Sequence, residues 1–205
     1  MPRSEDQEGM SVRALVLPLT LIFLLTACAG VLRAPEGEIR ETVRNFEIDA
    51  RFSLRLDANA SQTEPGQGAS GRLVWRHDGE SDRIVFSSPL GQGLAELSST
   101  ASGARLRLAS GEERQARDAA TLLKGFWVYP LPVDQVAQWL LGRFGSAGSL
   151  LRDTEGRPSR WAGAGWEIDY AYEDEAAGAL PSRLTVRRVG EFELRLRIEE
   201  WRIIP

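Results

Sequence analysis

Cysteine 28 is the residue whose type and surroundings point most directly to a specific chemical modification. It is the only cysteine among 205 residues, and it follows an apolar run over residues 14–26. The three residues directly before the cysteine are Leu25, Thr26 and Ala27, a branched apolar residue and two small residues. This is the pattern of a bacterial lipobox, in which the cysteine receives an S-diacylglycerol group and an N-acyl chain and becomes the first residue of the mature protein. The alternatives are a buried thiol and an incidental cysteine after an ordinary signal peptide.

The segment before Cys28, residues 1–27, is predicted to be a lipoprotein signal peptide that is removed. Its first nine residues carry acidic side chains where a signal peptide is normally basic. Translation from Met10, with Arg13 close behind, is therefore favoured over a long leader. The apolar run is too short for a transmembrane helix, which needs about 20 residues.

Residues 28–44 are predicted to be a lipidated tether, because they are polar and include Pro35 and Gly37. Such a spacer lets a folded domain stand off the bilayer. The residue after the cysteine is Ala29, whereas an aspartate there would indicate retention in the inner membrane. The sequence thus favours the outer membrane, with the domain over residues 45–205 facing the periplasm.

Two other short motifs could carry chemistry, and neither has the context that the chemistry needs. His77 next to Asp78 would suit a hydrolase, but the chain has no Gly-x-Ser-x-Gly nucleophile turn. His77 lies at a predicted strand end beside a turn and is expected at the surface. Residues 91–93, Gly-Gln-Gly, lack the third glycine and the βαβ context of a dinucleotide site. No catalytic residue is predicted, and no cofactor other than the covalent lipid.

The overall composition excludes further classes of function. One histidine and one cysteine leave no His/Cys cluster for zinc and no internal disulfide. The 25 basic and 29 acidic residues nearly balance, at a formal net charge of −4. That balance gives no reason to expect a nucleic-acid partner.

Strands dominate the pattern of the domain. Residues 45–57 alternate strictly between apolar and polar side chains, which favours a strand with one face in water and hence an antiparallel sheet. Similar alternation recurs up to residue 199, where Trp201 falls out of register by one, so a β-bulge or a strand end is expected near Glu200. The total is ten or eleven antiparallel strands. Two short helices, over about 118–124 and 131–141, fall between the sixth and seventh strands, and Gly125 and Gly142 are expected to end them.

A sheet of this length must curl. Two short helices give little cover for its concave face, so a mainly β fold with an apolar cavity on that face is expected. The candidate cavity residues on the strands face inward: Phe46, Ile48, Phe52, Leu54, Leu73, Trp75, Ile84, Phe86, Leu106, Trp166, Ile168, Tyr170, Leu194 and Leu196. The candidates on the second helix are Trp139 and Leu140. Ordinary core packing is the alternative for each of these residues.

Leu90 is an apolar residue where turns prefer polar ones. It lies between Pro89 and Gly91, at the tip of a predicted turn. Its side chain either folds back into the core or stands out as an apolar probe for a bilayer.

Taken in order, these features resemble the LolB family of outer-membrane lipoprotein receptors. No single motif is highly specific, but the ordered set covers nearly the whole mature chain. The matching stretches are the lipobox at Cys28, the strand around Phe52, residues 71–75, 89–91, 131–132, 138–142 and 165–166, Tyr170 and Tyr172, residues 180–182, and Trp201.

The resemblance implies a fold, an unclosed antiparallel β-barrel of about 11 strands with short helices capping an apolar cavity. It implies a function as well. LolB-like proteins accept lipoproteins from the periplasmic carrier LolA and place them in the inner leaflet of the outer membrane. The implied partners are LolA, client lipoproteins held through their acyl chains, and outer-membrane phospholipid, with the protein acting as a monomer. The resemblance also favours the role of Leu90 as a membrane-delivery probe. The alternatives are a structural lipoprotein with a filled β core and, less favoured, a membrane-tethered enzyme.

Overall fold

The computed structural model describes residues 39–57, 68–127 and 131–205, and Cys28 lies outside these ranges. Within them the chain forms eleven strands and three helices. The strands are β1 Asn45–Leu56, β2 Gly68–His77, β3 Asp82–Ser87, β4 Gly93–Thr100, β5 Gly103–Leu108, β6 Glu113–Ala116, β7 Ser149–Arg152, β8 Pro158–Gly163, β9 Trp166–Ala171, β10 Arg183–Arg188 and β11 Phe192–Ile204. The helices are α1 Ile39–Thr42, α2 Ala119–Trp127 and α3 Val133–Leu140.

All eleven strands belong to one antiparallel sheet, in the order β6-β5-β4-β3-β2-β1-β11-β10-β9-β8-β7. The first and last strands pair at its centre, and β6 and β7 form its two edges, so the sheet is unclosed. Short turns force neighbouring strands to run antiparallel. The Asp78-Gly79 turn between β2 and β3 is an example, with Gly79 at a φ of +84°. The predicted fold class is confirmed.

Strict alternation divides the residues of the sheet between a buried face and an exposed one. In β1 every second residue from Phe46 to Leu56 is buried. The intervening residues carry charges that pair across strands. Arg72 on β2, for example, contacts Asp49 on β1 at 3.1 Å and Glu199 on β11 at 2.7 Å. The charged face tolerates water, which leaves the apolar face to form the interior.

A β-bulge bends the central strand pair where the sequence pattern breaks. Asp49 pairs with Glu200, and the next residue, Ala50, pairs with Ile198, so Glu199 is the extra residue. The bulge turns Trp201 to the inner side, where its ring lies 5.4 Å from that of Phe46. The expected irregularity near Glu200 is confirmed.

Helices α2 and α3 lie between β6 and β7 in the chain, as predicted. The Asp118 carboxylate accepts a hydrogen bond from the Thr121 N–H (2.7 Å) and caps α2. This helix continues to Trp127, so the expectation that Gly125 ends it is wrong. A glycine inside a helix costs only about 1 kcal/mol relative to alanine, which the surrounding structure can offset.

Gly142 ends α3 as expected. It adopts a φ of +69°, and its N–H donates to the Trp139 carbonyl (2.8 Å) while the Arg143 N–H donates to the Gln138 carbonyl (3.0 Å). These two bonds form a Schellman motif. One face of α3 is buried over the sheet through Val133, Val136, Ala137, Trp139 and Leu140.

The strand register gives the sheet two distinct ends. At the end where β1 begins, called the proximal end, lie the connections over residues 78–81, 101–102, 153–157 and 172–182. At the opposite, distal end lie the turns over residues 88–92, 109–112, 164–165 and 189–191. The tether joins the domain at the proximal end, and Leu90 lies at the distal end.

Candidate functional site

The concave face of the sheet is closed over by α2 and α3. Six of the predicted cavity residues converge there with apolar side chains of the two helices and the residue between them, Leu131. A void of about 20 Å³ remains, which holds about one water-sized probe. Its walls are Leu73, Trp75, Ile84, Phe86, Leu194 and Leu196 from the sheet, with Leu123, Leu131, Val133 and Val136. The lining of the void is thus apolar, and the space between sheet and helices is nearly filled in this conformation.

Most of the other predicted cavity residues pack in the core around this void. Phe46, Ile48, Phe52, Leu54, Leu106, Ile168 and Leu140 are all buried. Tyr170 is partly buried, and its hydroxyl donates a 2.6 Å hydrogen bond to the Trp139 carbonyl, which fastens α3 to β9. Burial raises the pKa of the Tyr170 hydroxyl above its usual range, so it keeps its proton and remains a donor at neutral pH.

A larger opening, called the aromatic pocket, lies beside α3 and has a volume of about 810 Å³. Its aromatic walls are Trp139 on α3, Trp161 on β8, Trp166 on β9 and Phe144 in the segment after α3. The Trp139 ring lies 5.2 Å from Trp166 and 6.2 Å from Trp161. Phe144 stacks on Trp161 at 5.1 Å with an interplanar angle of 7°. A pocket of this size suits a ligand with a long apolar part.

The rim of the aromatic pocket is polar and charged. It includes Asp134, Gln135, Gln138, Arg143 and Arg188. The Arg188 guanidinium lies 4.9 Å from the centre of the Trp166 ring, in a cation–π contact. The arrangement therefore offers an apolar floor to hydrocarbon and a polar edge to the head of an amphiphile.

Arg143 also connects the pocket to the start of the domain. Its Nη2 donates to the backbone carbonyls of Arg40 (3.2 Å), Glu41 (3.0 Å) and Val43 (2.6 Å). These bonds clamp α1, which falls within the predicted tether, against the segment that follows α3.

Sequence reasoning placed Trp139 and Trp166 on inward faces, but it missed Trp161 and Phe144. Two glycines make room for the Trp161 indole. A Cβ at Gly148 would lie 2.6 Å from Trp161 Nε1, and one at Gly163 would lie 2.7 Å from Trp161 Cζ2. The sequence feature that could have indicated this site is a tryptophan on a weakly predicted strand with glycines on either side. Its meaning becomes clear only when the strand register shows that the glycines lie against the indole.

Gly163→Ala is expected to destabilise the domain by about 1–3 kcal/mol, because the added methyl would overpack this site. Its Cβ would also lie 2.4 Å from the Ala147 carbonyl oxygen. Gly145→Ala is the matched control, since a Cβ there meets nothing within 4 Å. Urea unfolding of both variants measures the difference. Equal midpoints for the two would contradict the close packing around Trp161.

The Leu90 side chain is exposed to solvent at the distal end. Its exposed fraction is 90%, so the alternative in which it folds back into the core is excluded. Hydrogen bonds hold the turn beneath it: the Gly91 N–H donates to the Ser88 carbonyl (2.9 Å), and the Ser88 N–H donates to the Gln92 carbonyl (2.8 Å). An apolar side chain is thus presented on a well-bonded turn.

The expectation that His77 lies at the surface is wrong, since its exposed fraction is 4%. Its Nδ1 lies 2.8 Å from Oδ1 of Asp82, and the Trp75 indole N–H donates to the same oxygen at 2.7 Å. His77 pairs with Asp82 across the β2–β3 hairpin, so the buried ring has a polar partner. The period-two pattern, which puts His77 on the side of Leu73 and Trp75, was the better guide.

No helix in residues 39–57, 68–127 and 131–205 is both long and apolar enough to cross a membrane. No cluster of three or more His, Cys, Asp or Glu side chains in the same ranges could hold a metal ion.

Comparison with known proteins decides the family. A family model described as "Outer membrane lipoprotein LolB" matches residues 44–201. The chain belongs to the LolB family. The matched range contains Leu90, the central void and the aromatic pocket, while Cys28 precedes it.

Similar LolB relatives extend the match over most of the chain. The outer-membrane lipoprotein LolB of Dechloromonas aromatica is 42% identical over 191 residues, which cover 92% of this chain and 99% of the relative. The LolB of an Azoarcus species is 35% identical over 185 residues, which cover 88% of this chain and 91% of the relative. Among solved structures, a LolA superfamily protein from Nitrosomonas europaea has a TM-score of 0.46 at 10% identity. The match covers 83% of this chain and 91% of that protein. As a LolB family member the chain is an outer-membrane lipoprotein with a receptor role in lipoprotein trafficking.

Proposed function

We propose that this protein accepts lipoproteins from the periplasmic carrier LolA and inserts them into the inner leaflet of the outer membrane. The observation that carries the proposal is the aromatic pocket of about 810 Å³, which opens beside a barrel interior whose central void is lined by apolar side chains, in a chain of the LolB family. An acyl chain exposed to water costs about 0.8 kcal/mol per CH₂. A receptor that offers continuous apolar cover can take the chains without that cost.

The aromatic pocket is the entry site in this proposal. It is already open, and its aromatic walls provide contact for hydrocarbon, whereas the central void of about 20 Å³ is too small for an acyl chain. Deeper entry requires α3 to move away from the sheet. The hydrogen bond from the Tyr170 hydroxyl to the Trp139 carbonyl is one fastening to be broken, at about 1 kcal/mol.

The displacement of α3 exchanges one apolar contact for another. Val133, Val136 and Leu140 would leave the sheet as the acyl chain takes their place, so little apolar surface is lost to water overall. An eight-residue helix is not stable by itself and depends on what it packs against. The acyl chain provides a new apolar surface for it, which makes the interior adaptable without unfolding of the sheet.

Lipidation at Cys28 completes the proposal. An S-diacylglycerol and an N-acyl group on this residue would anchor the protein stably, since more than one chain is needed for lasting attachment. The anchor confines the receptor to the target membrane. The transfer itself changes no covalent bond in the client, so the role proposed is that of a carrier and not of an enzyme. The working unit proposed is a monomer.

The proposal can be tested by site-specific photo-cross-linking. A benzoylphenylalanine at position 144, inside the aromatic pocket, is expected to cross-link to the acyl chains of a client supplied on LolA. The same group at position 85, on the outer face of β3, serves as the control because Val85 faces solvent. Cross-links of equal yield at both positions, or none at position 144 in a folded protein, would reject the pocket as the acyl site.

A further inference from the structure

The distal end carries a second exposed apolar tip besides Leu90. Val189, in the turn between β10 and β11, has an exposed fraction of 70%, which is second only to Leu90 among the large hydrophobic residues that the structure describes. Each of the two is followed directly by a glycine in the left-handed region, Gly91 at a φ of +85° and Gly190 at +77°. The Glu191 N–H donates to the Arg188 carbonyl (2.9 Å) and holds the second turn, as comparable bonds hold the first.

The register places the two tips on the same end of the sheet but on separate flanks. Ser87 ends β3 at the distal end, and Arg188 ends β10 there. Between the two turns lie four strand spacings along the curved sheet, about 19 Å at the usual distance between strands. Two contacts this far apart would restrict the tilt of a protein on a flat surface to rotation about the line that joins them, whereas one contact leaves every tilt free.

The charges at the two ends indicate which end can approach a membrane. At the proximal end the described connections carry seven acidic residues against one basic residue, Arg157, which forms ion pairs with Asp153 (2.7 Å) and Glu155 (3.3 Å). The acidic residues are Asp78, Glu80, Asp153, Glu155, Glu173, Asp174 and Glu175. The two distal tips carry no charge, and the flanking Arg188 and Glu191 neutralise each other at 3.4 Å. An anionic lipid surface repels the proximal end and leaves the distal end free to dock.

We propose that the distal end docks on the phospholipid bilayer through Leu90 and Val189 together, with Val189 as a second insertion residue. This inference rests on the proposed function, because it names the surface that delivers the client. The occupant is the lipid bilayer itself, recognised by shallow burial of the two apolar tips. The connection between β1 and β2, also at this end, lies outside the described residues and plays no part in the proposal.

The anchor is compatible with this orientation although the tether joins the opposite end. Ten residues lie between Cys28 and Ile39, so their Cα atoms are eleven steps apart, a distance of about 36–40 Å when the chain is fully extended. Twelve-residue β1 spans about 40 Å at most. A fully extended tether thus reaches about the length of β1, so an anchor at Cys28 leaves the distal end able to meet the bilayer.

Vesicle co-sedimentation tests the second tip. The protein comprising residues 28–205 with Cys28→Ala is mixed with vesicles of phosphatidylethanolamine and phosphatidylglycerol. Val189→Asn is expected to reduce the bound fraction several-fold, as Leu90→Asn does, and the double variant is expected to reduce it further. Leu151→Asn is the control, because Leu151 is 58% exposed but lies on the edge strand β7 and not at a distal tip. Binding by Val189→Asn at the level of the unsubstituted protein, or equal losses in Leu151→Asn, would overturn the proposal.

A parallel measurement separates this inference from the proposed function. The same variants are offered LolA loaded with client. Normal client uptake together with unchanged vesicle binding in Val189→Asn overturns the docking surface alone. Failure of the unsubstituted protein to take client, while vesicle binding still depends on both tips, overturns the receptor function and supports the docking surface.

Discussion

Leu90→Glu is expected to leave the fold and client uptake intact and to reduce delivery of the client to membranes at least tenfold. The side chain is 90% exposed, so the substitution removes no core packing and should change the free energy of unfolding by less than about 0.5 kcal/mol. A carboxylate at the tip would have to lose its hydration to enter the lipid interface, which is strongly unfavourable. The client should therefore accumulate on the receptor.

Delivery is measured by mixing client-loaded receptor with outer-membrane vesicles and following the client by sedimentation. Gln92→Glu is the matched control, since it adds the same charge to the same turn and keeps Leu90. It is expected to deliver within about twofold of the unsubstituted protein, because its charge lies outside the apolar tip. Normal delivery by Leu90→Glu would remove Leu90 from the mechanism.

Phe144→Asp is expected to show the second large effect, a loss of client uptake of about tenfold or more. Phe144 stacks on Trp161 and forms a wall of the aromatic pocket. The substitution removes an apolar contact for the acyl chain and places a charge beside it, where hydrocarbon offers no solvation. Uptake is measured as the fraction of client that moves from LolA to the receptor at equilibrium.

Ser146→Asp controls for charge alone. Ser146 lines the same pocket and is exposed, so its replacement adds a carboxylate at the rim without removing an aromatic ring. Uptake by Ser146→Asp is expected to stay within about twofold of the unsubstituted protein, since an exposed charge is well solvated. Equal losses in the two variants would mean that charge near the pocket, and not its aromatic wall, governs uptake.

The local features of the fold were the most predictable from the sequence. The alternation over residues 45–57 and the break at Trp201 define β1 and the bulge in β11, because a side-chain period of two is set by the backbone itself. The helix end at Gly142 follows from its left-handed conformation. These features depend on residues close together in the chain.

Features that depend on register or on packing could not be derived in the same way. The period of two places His77 on the inner face, but its polar partner there, Asp82 directly across the hairpin, follows only from the register. The pocket wall at Trp161 depends on Gly148 and Gly163 from different segments. The near closure of the interior depends on how far Val133 and Val136 reach into the curved sheet, which periodicity alone does not measure.

The most direct test of the central claim is a hand-off experiment without membranes. LolA loaded with a fluorescently labelled client lipoprotein is mixed with the soluble receptor, residues 28–205 with Cys28→Ala, and the two proteins are then separated. The receptor function predicts that most of the client moves to the receptor, because its interior covers the acyl chains at least as well as the carrier does. Client that stays on LolA in the presence of excess, folded receptor would contradict the account.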